Sequence, residues 1–419
     1  MRFLILTQYF PPEIGGAQTR LKSLASELIR RGHEVEVVTA MPNYPRGKFF
    51  PGYERGFYRK ELRDGLTIHR VWLYPAVGGG LKRMLNYVSF TLTSFYGLFR
   101  SRRPDYIFVE SPPLFLSFPA FVAGLFWGAP FIFNVADLWP DVIVDGGFMK
   151  DGFVIRCLRM VEHWSYRRAA YVNTVTDWIV KVLREQKSVP AQKLLFLPNG
   201  ADTARFKPMP PDHELKSRLG LQGKQILLWA GTLGYAHGIE NILNAAKLLE
   251  GEPDIHFLFV GDGSARADLL RLQDSLHLNN VTFHDPVPLD DVPFFYSISF
   301  AGLASLIDIP TYAGARPSKL FPVLSSAKPL IFVGKGEAAH LVHRAAAGIV
   351  VEPGNPQAIA DAVITLARNP ALAAEYGQSG RRYVEDHLQW SDLVGNWLSQ
   401  LDSGRSQQSP AAADVSLTS

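Results

Sequence analysis

Residues 225–240 read Gln-Ile-Leu-Leu-Trp-Ala-Gly-Thr-Leu-Gly-Tyr-Ala-His-Gly-Ile-Glu. The apolar run 226–230 predicts a buried parallel strand, and the spacing of Gly231, Gly234 and Gly238 predicts a turn. A helical pattern resumes at Ile239, Ile242, Leu243 and Ala246. Strand, glycine turn and helix make the end of a βα unit that can cradle an anion. Small residues let the backbone approach a phosphate, and the helix N-terminus supplies free N–H groups and a positive dipole end. An ordinary βα turn carries the same residues, because glycine-rich turns of this kind are widespread.

A second such unit opens the chain. Residues 2–7 predict a short strand, followed by the loop Gln8-Tyr-Phe-Pro-Pro-Glu-Ile-Gly-Gly-Ala17. Leu21, Leu24, Ala25, Leu28 and Ile29 then share one helix face, and Arg30-Arg31-Gly32 is a C-terminal stop. A strand over 34–39 follows. Two halves that each open with strand, loop and helix predict two Rossmann-like domains with a ligand cleft between them.

The chain resembles family 4 of the retaining glycosyltransferases, in the branch that builds bacterial surface polysaccharides on lipid carriers. The resemblance covers roughly residues 1–400. It rests on Gln8-Tyr-Phe-Pro-Pro-Glu with Gly15-Gly16, Asp137-Leu-Trp-Pro-Asp141, and Pro198-Asn-Gly-Ala-Asp202 with Phe206. Further on it rests on Gly231-Thr-Leu-Gly234 with Ala236-His-Gly238, Phe259-Val-Gly-Asp-Gly263, and Arg316-Pro-Ser-Lys319. Each motif is moderately specific; their order and spacing together are strong. The resemblance implies an α/β protein of GT-B fold, two Rossmann-like domains facing each other across a cleft. It implies transfer of a hexose or N-acetylhexosamine from a nucleotide-diphosphate sugar, UDP-linked, to a polyprenyl-diphosphate-linked acceptor. The nucleotide sugar is then a substrate, with no cofactor and no metal. Two other readings stay open: a catalytically impaired homologue that binds nucleotide sugar or a partner transferase, and a UDP-sugar epimerase on a similar fold.

Composition agrees with this size and class. The 419 residues, 47% hydrophobic and 20% charged, suit two globular domains of roughly 200 residues each. The single Cys157 excludes a disulfide framework and fits a reducing compartment. The first apolar run ends by Pro11 without a small-residue cleavage site, so it reads as a strand rather than a signal peptide. Residues 1–200 hold 26 Lys and Arg against 16 Asp and Glu; the remainder holds 17 against 23. A basic first half suggests a domain facing an anionic surface. No aromatic-interleaved basic motif is present, so membrane ranks above nucleic acid as that surface.

The expected organisation is an acceptor-side domain over 1–206 and a nucleotide-sugar domain over 207–385. A helix over 386–402 crosses back to the first domain, and a disordered Ser-, Gln- and Ala-rich tail occupies 403–419. Residues 85–99 carry no charge, flanked by Lys82, Arg83, Arg100, Arg102 and Arg103. Fifteen residues are too few to span about 30 Å of hydrocarbon. Membrane contact in the headgroup region is the favoured reading and a buried amphipathic helix the other. The protein is therefore expected in the cytoplasm, peripheral on the inner face of the cell membrane.

Retaining transfer develops positive charge on the sugar and negative charge on the leaving phosphate. The site must supply donors to the diphosphate and room for an acceptor hydroxyl on the same face. The resemblance places Gly15 and Gly16 there, Gly16 also among the catalytic positions. It extends donor binding to Asn199, Gly231, Thr232, His237, Gly238, Gly263, Arg316, Ser318 and Lys319. Thr232 and His237 stand where many members carry an arginine and a lysine. Thr232 offers one neutral hydrogen bond, and His237 is charged only if protonated, which a diphosphate favours. Lys319 is the expected replacement cation, with Arg316 second. Asp137 and Glu110, at strand ends, are the acceptor-side catalytic candidates; Asp137 orients hydroxyls or caps the next segment. The family's paired glutamates are Gly314 and Pro322 here, and the usual histidine before the aspartate is Ala136. Proline has neither an acceptor side chain nor an N–H with which to hold a ribose.

Overall fold

The computed structural model describes residues 1–54, 56–76 and 80–408, the last five by backbone alone. A first sheet of eight strands uses β1 (Arg2–Leu6), β2 (Glu34–Ala40), β3 (Tyr58–Arg63), β4 (Leu66–Val71), β5 (Tyr106–Ser111), β6 (Phe131–Val135), β7 (Tyr171–Thr174) and β8 (Leu194–Phe196). Their order is β3-β4-β2-β1-β5-β6-β7-β8, parallel throughout except for the β3–β4 hairpin. Strands β5 and β6 are buried at every position, as parallel strands between two helix layers must be. The inner strand of the hairpin, β4, is buried at five of its six positions. The outer strand reads Tyr-Arg-Lys-Glu-Leu-Arg and is largely exposed, and charges of this kind keep a sheet edge from pairing with another chain.

The second sheet has six parallel strands: β9 (Gln225–Ala230), β10 (Ile255–Val260), β11 (Val281–His284), β12 (Ser299–Ser305), β13 (Leu330–Val333) and β14 (Gly348–Val351). They lie in the order β11-β10-β9-β12-β13-β14. Strand order reverses between β1 and β5 in one sheet and between β9 and β12 in the other. Such switch points open a crevice beyond the carboxyl ends of the strands.

Apolar clusters fill both faces of each sheet. Leu6, Val38 and Phe90 meet on one face of the first sheet, and Phe3, Leu21 and Trp397 on the other. Trp397 belongs to the C-terminal helix Trp390–Gln408, which returns to the first sheet, and its ring meets Phe3 tilted and Phe108 edge-on, with ring centroids 5.9 Å apart in each case. Its indole N–H donates to Asn173 Oδ1 at 3.0 Å. Two sequence expectations change here. The crossing helix begins at Trp390, because the preceding helix Pro370–His387 packs on the second sheet through Val384. Residues 403–408 continue the helix instead of starting a tail; the rest of that expected tail, 409–419, lies outside the described residues.

The uncharged stretch forms the helix Gly80–Arg100. Tyr87, Phe90 and Leu98 pack on the sheet, while Leu81, Leu85, Leu92 and Phe99 face outward and exposed. The buried-helix reading therefore holds for one face, and the other face is apolar and exposed. Among the described residues no helix is long and apolar enough to cross a membrane.

Candidate donor site between the two sheets

The two switch points face a shared cavity of about 630 Å³. Gly15, Gly16, Tyr44 and Arg46 line it from the first half, and Gly231, Thr232, Ser318, Lys319 and Pro322 from the second. Gly16 starts the first helix of the chain, and a Cβ there would lie 3.1 Å from Ser318 Oγ across the cleft. Its lack of a side chain is what lets the halves approach. Gly231 has φ +133, a conformation L side chains rarely adopt, and a Cβ there would come 3.0 Å from Lys319 Cε.

Lys319 is buried at the start of the helix Leu320–Ser325. Its Nζ sits 3.0 Å from His237 Nε2 and 4.8 Å from the centroid of the Trp229 ring. Burial pushes its ammonium down to about 7. Among the described residues no carboxylate pairs with it, so the cation is poised for an anion entering the cavity.

His237 departs from expectation. It does not line the cavity; its ring lies behind Lys319. Nδ1 is 2.8 Å from the Ser305 carbonyl, so it carries the proton and donates, leaving Nε2 as an acceptor for the Lys319 ammonium. Burial first, and the Lys319 charge second, push this imidazole down to about 3. The ring is therefore neutral at physiological pH. It accepts from the Lys319 ammonium and positions it.

Several other expected residues are also committed elsewhere. Arg316 bonds Glu337 at 2.5 Å and Asp177 at 3.4 Å, bridging the two halves beside the cavity rather than lining it. Glu337 Oε1 in turn accepts the Trp178 N–H at 3.0 Å, and Asp145 accepts the Thr311 N–H at 3.0 Å. Trp178 also explains Gly314. A Cβ at that position would lie 2.1 Å from the indole, so the place of the family's first glutamate is filled by a tryptophan of the opposite half. Gly263 is a packing glycine, since a Cβ there would meet the Leu233 backbone at 2.3 Å. Gly238 adopts φ +58 ahead of the helix Ile239–Leu248 and lies outside the cavity lining.

Glu110 is buried and pairs with Arg20, and Asn134 Nδ2 donates to it at 2.8 Å. Burial raises its carboxyl, against the pull of Arg20 and Asn134. Arg20 also donates to Asn199 Oδ1 at 3.2 Å. Glu110 and Asn199 thus hold an arginine one turn beyond Gly16, and neither lines the cavity. Asp137 lies off the lining too. Desolvation by the surrounding protein raises its carboxyl and Arg20 opposes this, while the residue itself stays exposed at the surface.

Three of the five expected membrane cations, Arg83, Arg100 and Arg102, are engaged with neighbouring side chains. Arg83 stacks on Tyr87 at 4.8 Å and Tyr9 at 5.9 Å, and Arg102 pairs with Glu36 at 2.7 Å and Glu34 at 3.0 Å. Lys82 is exposed, Arg100 stacks on Tyr96 at 5.0 Å, and Arg103 is exposed with its backbone carbonyl bonded by Arg2 at 2.9 Å.

Arg20 and Glu13 were not foreseen. Glu13 lies within a quoted motif and accepts the N–H groups of Asn43 and Tyr44 at 2.8 Å each, tying the loop after β2 to the loop after β1. No periodicity marks either residue. Only the contact with a distant loop shows the role.

Two doubly wound sheets meeting over one cavity at their switch points define the GT-B class. Residues 15–200 match the family described as a glycosyl transferase 4-like domain, residues 212–383 match glycosyl transferases group 1, and the chain belongs to the family 4 glycosyltransferases. It is 26% identical to WcaI of Escherichia coli (strain K12), named a colanic acid biosynthesis glycosyl transferase, over 96% of this chain and 100% of that one. It is 25% identical to a GDP-mannose-dependent phosphatidylinositol monomannoside mannosyltransferase of Mycolicibacterium smegmatis, over 96% and 98%. Among solved structures, Anabaena Alr3699/HepE in complex with UDP-glucose superposes with a TM-score of 0.73 at 16% identity, covering 96% of this chain and 100% of that one. That likeness speaks to the fold alone.

Proposed function

We propose that the protein transfers a hexose or N-acetylhexosamine, with retention, from a UDP-sugar to a polyprenyl-diphosphate-linked acceptor during surface polysaccharide synthesis. The reading is supported by WcaI, which aligns end to end and is named for such a pathway. The observation that carries it is Lys319, a buried ammonium beside the Gly231 turn that has no carboxylate partner among the described residues. In this reading the sugar–phosphate bond breaks and the bonding pair stays on the diphosphate. Lys319 and the turn's backbone stabilise that charge as it forms. The acceptor hydroxyl bonds the sugar carbon on the same face. Among the described residues lining the cavity Asp262 is the one carboxylate, and it faces Arg46 at 3.9 Å. The departing phosphate oxygen is then the nearest base for the acceptor proton. An epimerase would need an acid and a base carboxylate there, so transfer is favoured. No resident cofactor or metal is part of the proposal. The acceptor's membrane lies against the outer face of the helix Gly80–Arg100, with Lys82, Arg100 and Arg103 reaching anionic lipid at the inner surface.

Titration of Lys319 gives the test. With the cavity empty its pKa is about 7, and a bound diphosphate raises it. Affinity is therefore full below about pH 7 and falls as pH rises, by up to about tenfold per unit, until the complex itself loses the proton. Calorimetry with UDP-glucose from about pH 6 to about pH 9 should show that decline together with proton uptake. Lys319→Arg should flatten it, because arginine stays charged. A native profile without pH dependence places the phosphate away from Lys319.

A further inference from the structure

The helix Phe153–Arg168 carries a cluster that the donor site does not use. We propose that the groove on its outer face is a docking site for the phosphate headgroups of anionic phospholipid. The inference rests on the membrane reading above and adds the residues that recognise the lipid. The groove is open, about 690 Å³, and lined by Arg156, Met160, His163, Trp164, Arg167 and Arg168 together with Arg159. Positions 156, 160, 163 and 167 recur at helical spacing and so share one face. At 1.5 Å per residue they extend over about 16 Å, room for more than one headgroup.

Among the described residues no carboxylate lines the groove. Arg159 is committed to Asp141 at 3.0 Å and Asp151 at 2.9 Å. Arg156 and Arg167 are exposed and, among the described residues, form no ion pair. Arg168 lies over the Phe121 ring at 5.4 Å and is itself exposed. The floor is aromatic: the Trp164 ring lies 5.3 Å from Phe121 and 6.3 Å from Phe118. Around the rim Phe153 is 80%, Met160 65% and Phe118 52% exposed. Phe118 also meets Phe95 of the helix Gly80–Arg100 at 6.0 Å, so the groove continues the apolar face already assigned to the membrane.

Unpaired guanidinium groups interleaved with exposed Phe and Met fit a headgroup layer, where arginines take phosphate oxygens bidentately and apolar side chains enter the acyl boundary. A nucleic acid would meet the same arginines but would set Phe153 and Met160 against a charged backbone with nothing to bury them.

Sedimentation with phosphatidylcholine vesicles, with and without phosphatidylglycerol, tests the site. Native protein should favour the phosphatidylglycerol vesicles, and R156Q/R167Q/R168Q should weaken that binding by roughly a hundredfold. R156K/R167K/R168K should recover most of it. Calorimetric UDP binding, unchanged in both variants, shows that they are folded. Native-like vesicle binding by the glutamine variant overturns the groove while leaving membrane attachment intact. Equal binding to both vesicle types overturns the phosphate site. Failure of the native protein on both removes the membrane reading itself, and tighter binding to duplex DNA than to phosphatidylglycerol vesicles reassigns the groove.

Discussion

Lys319→Ala is expected to lower turnover by about one to three orders of magnitude, the loss typical of one preorganised donor to a developing charge. The side chain needs no reorganisation to act. His237 Nε2 and the Trp229 face hold the ammonium, and the missing Cβ of Gly231 leaves its stem a path. UDP affinity should fall with turnover, because the diphosphate carries charge in the ground state too. His237→Ala should do the same less steeply, since the imidazole acts through the lysine. His237→Gln, which keeps an acceptor toward Nζ, should retain most activity. Lys319→Arg separates charge from fold: partial recovery with an unchanged melting temperature assigns the loss to the cation. Native rates in both alanine variants would place the phosphate clamp elsewhere.

Pro322→Glu should tighten nucleotide binding by about 1 to 3 kcal/mol, the scale of hydrogen bonds to a charged group. Pro322 lines the cavity within the first turn of the helix Leu320–Ser325. Its carbonyl accepts the Ser326 N–H at 3.0 Å, a bond the substitution keeps. A carboxylate there would face the ribose as in relatives of the family. Two effects oppose the gain: loss of proline rigidity, about 0.4 to 1 kcal/mol of stability, and attraction between the new carboxylate and Lys319. Calorimetry with UDP and GDP on both proteins reads the balance. Tight binding by the native protein, unimproved by glutamate, would assign the ribose to another group, and Tyr296 in the same cavity wall is the first to examine.

The βα units were legible because burial and period coincide in them. The strands Arg2–Leu6, Glu34–Ala40 and Gln225–Ala230 appear where the sequence pattern predicted them. Lys319 was legible through the Arg316-Pro-Ser-Lys319 motif, which offered it ahead of Arg316 as the cation for the diphosphate. What stayed hidden was which partner each polar group takes. Arg316 reads like a phosphate ligand until Glu337 and Asp177 are seen on it, and His237 like a donor until Ser305 orients its proton. The arginines after Phe153 look like a solvated helix face; their cooperation comes from aromatic rings on a neighbouring helix. The β3–β4 hairpin escaped because an exposed charged edge carries no apolar pattern.

Label transfer tests the central claim most directly. Bacterial membranes and purified protein are incubated with a panel of radiolabelled UDP- and GDP-sugars, and label is followed into the lipid fraction. Native protein should move label from one UDP-sugar into lipid, and Lys319→Ala should reduce that transfer to a small fraction. No transfer from any donor, with nucleotide still bound, would contradict a transferase and leave a protein that binds nucleotide sugar without using it.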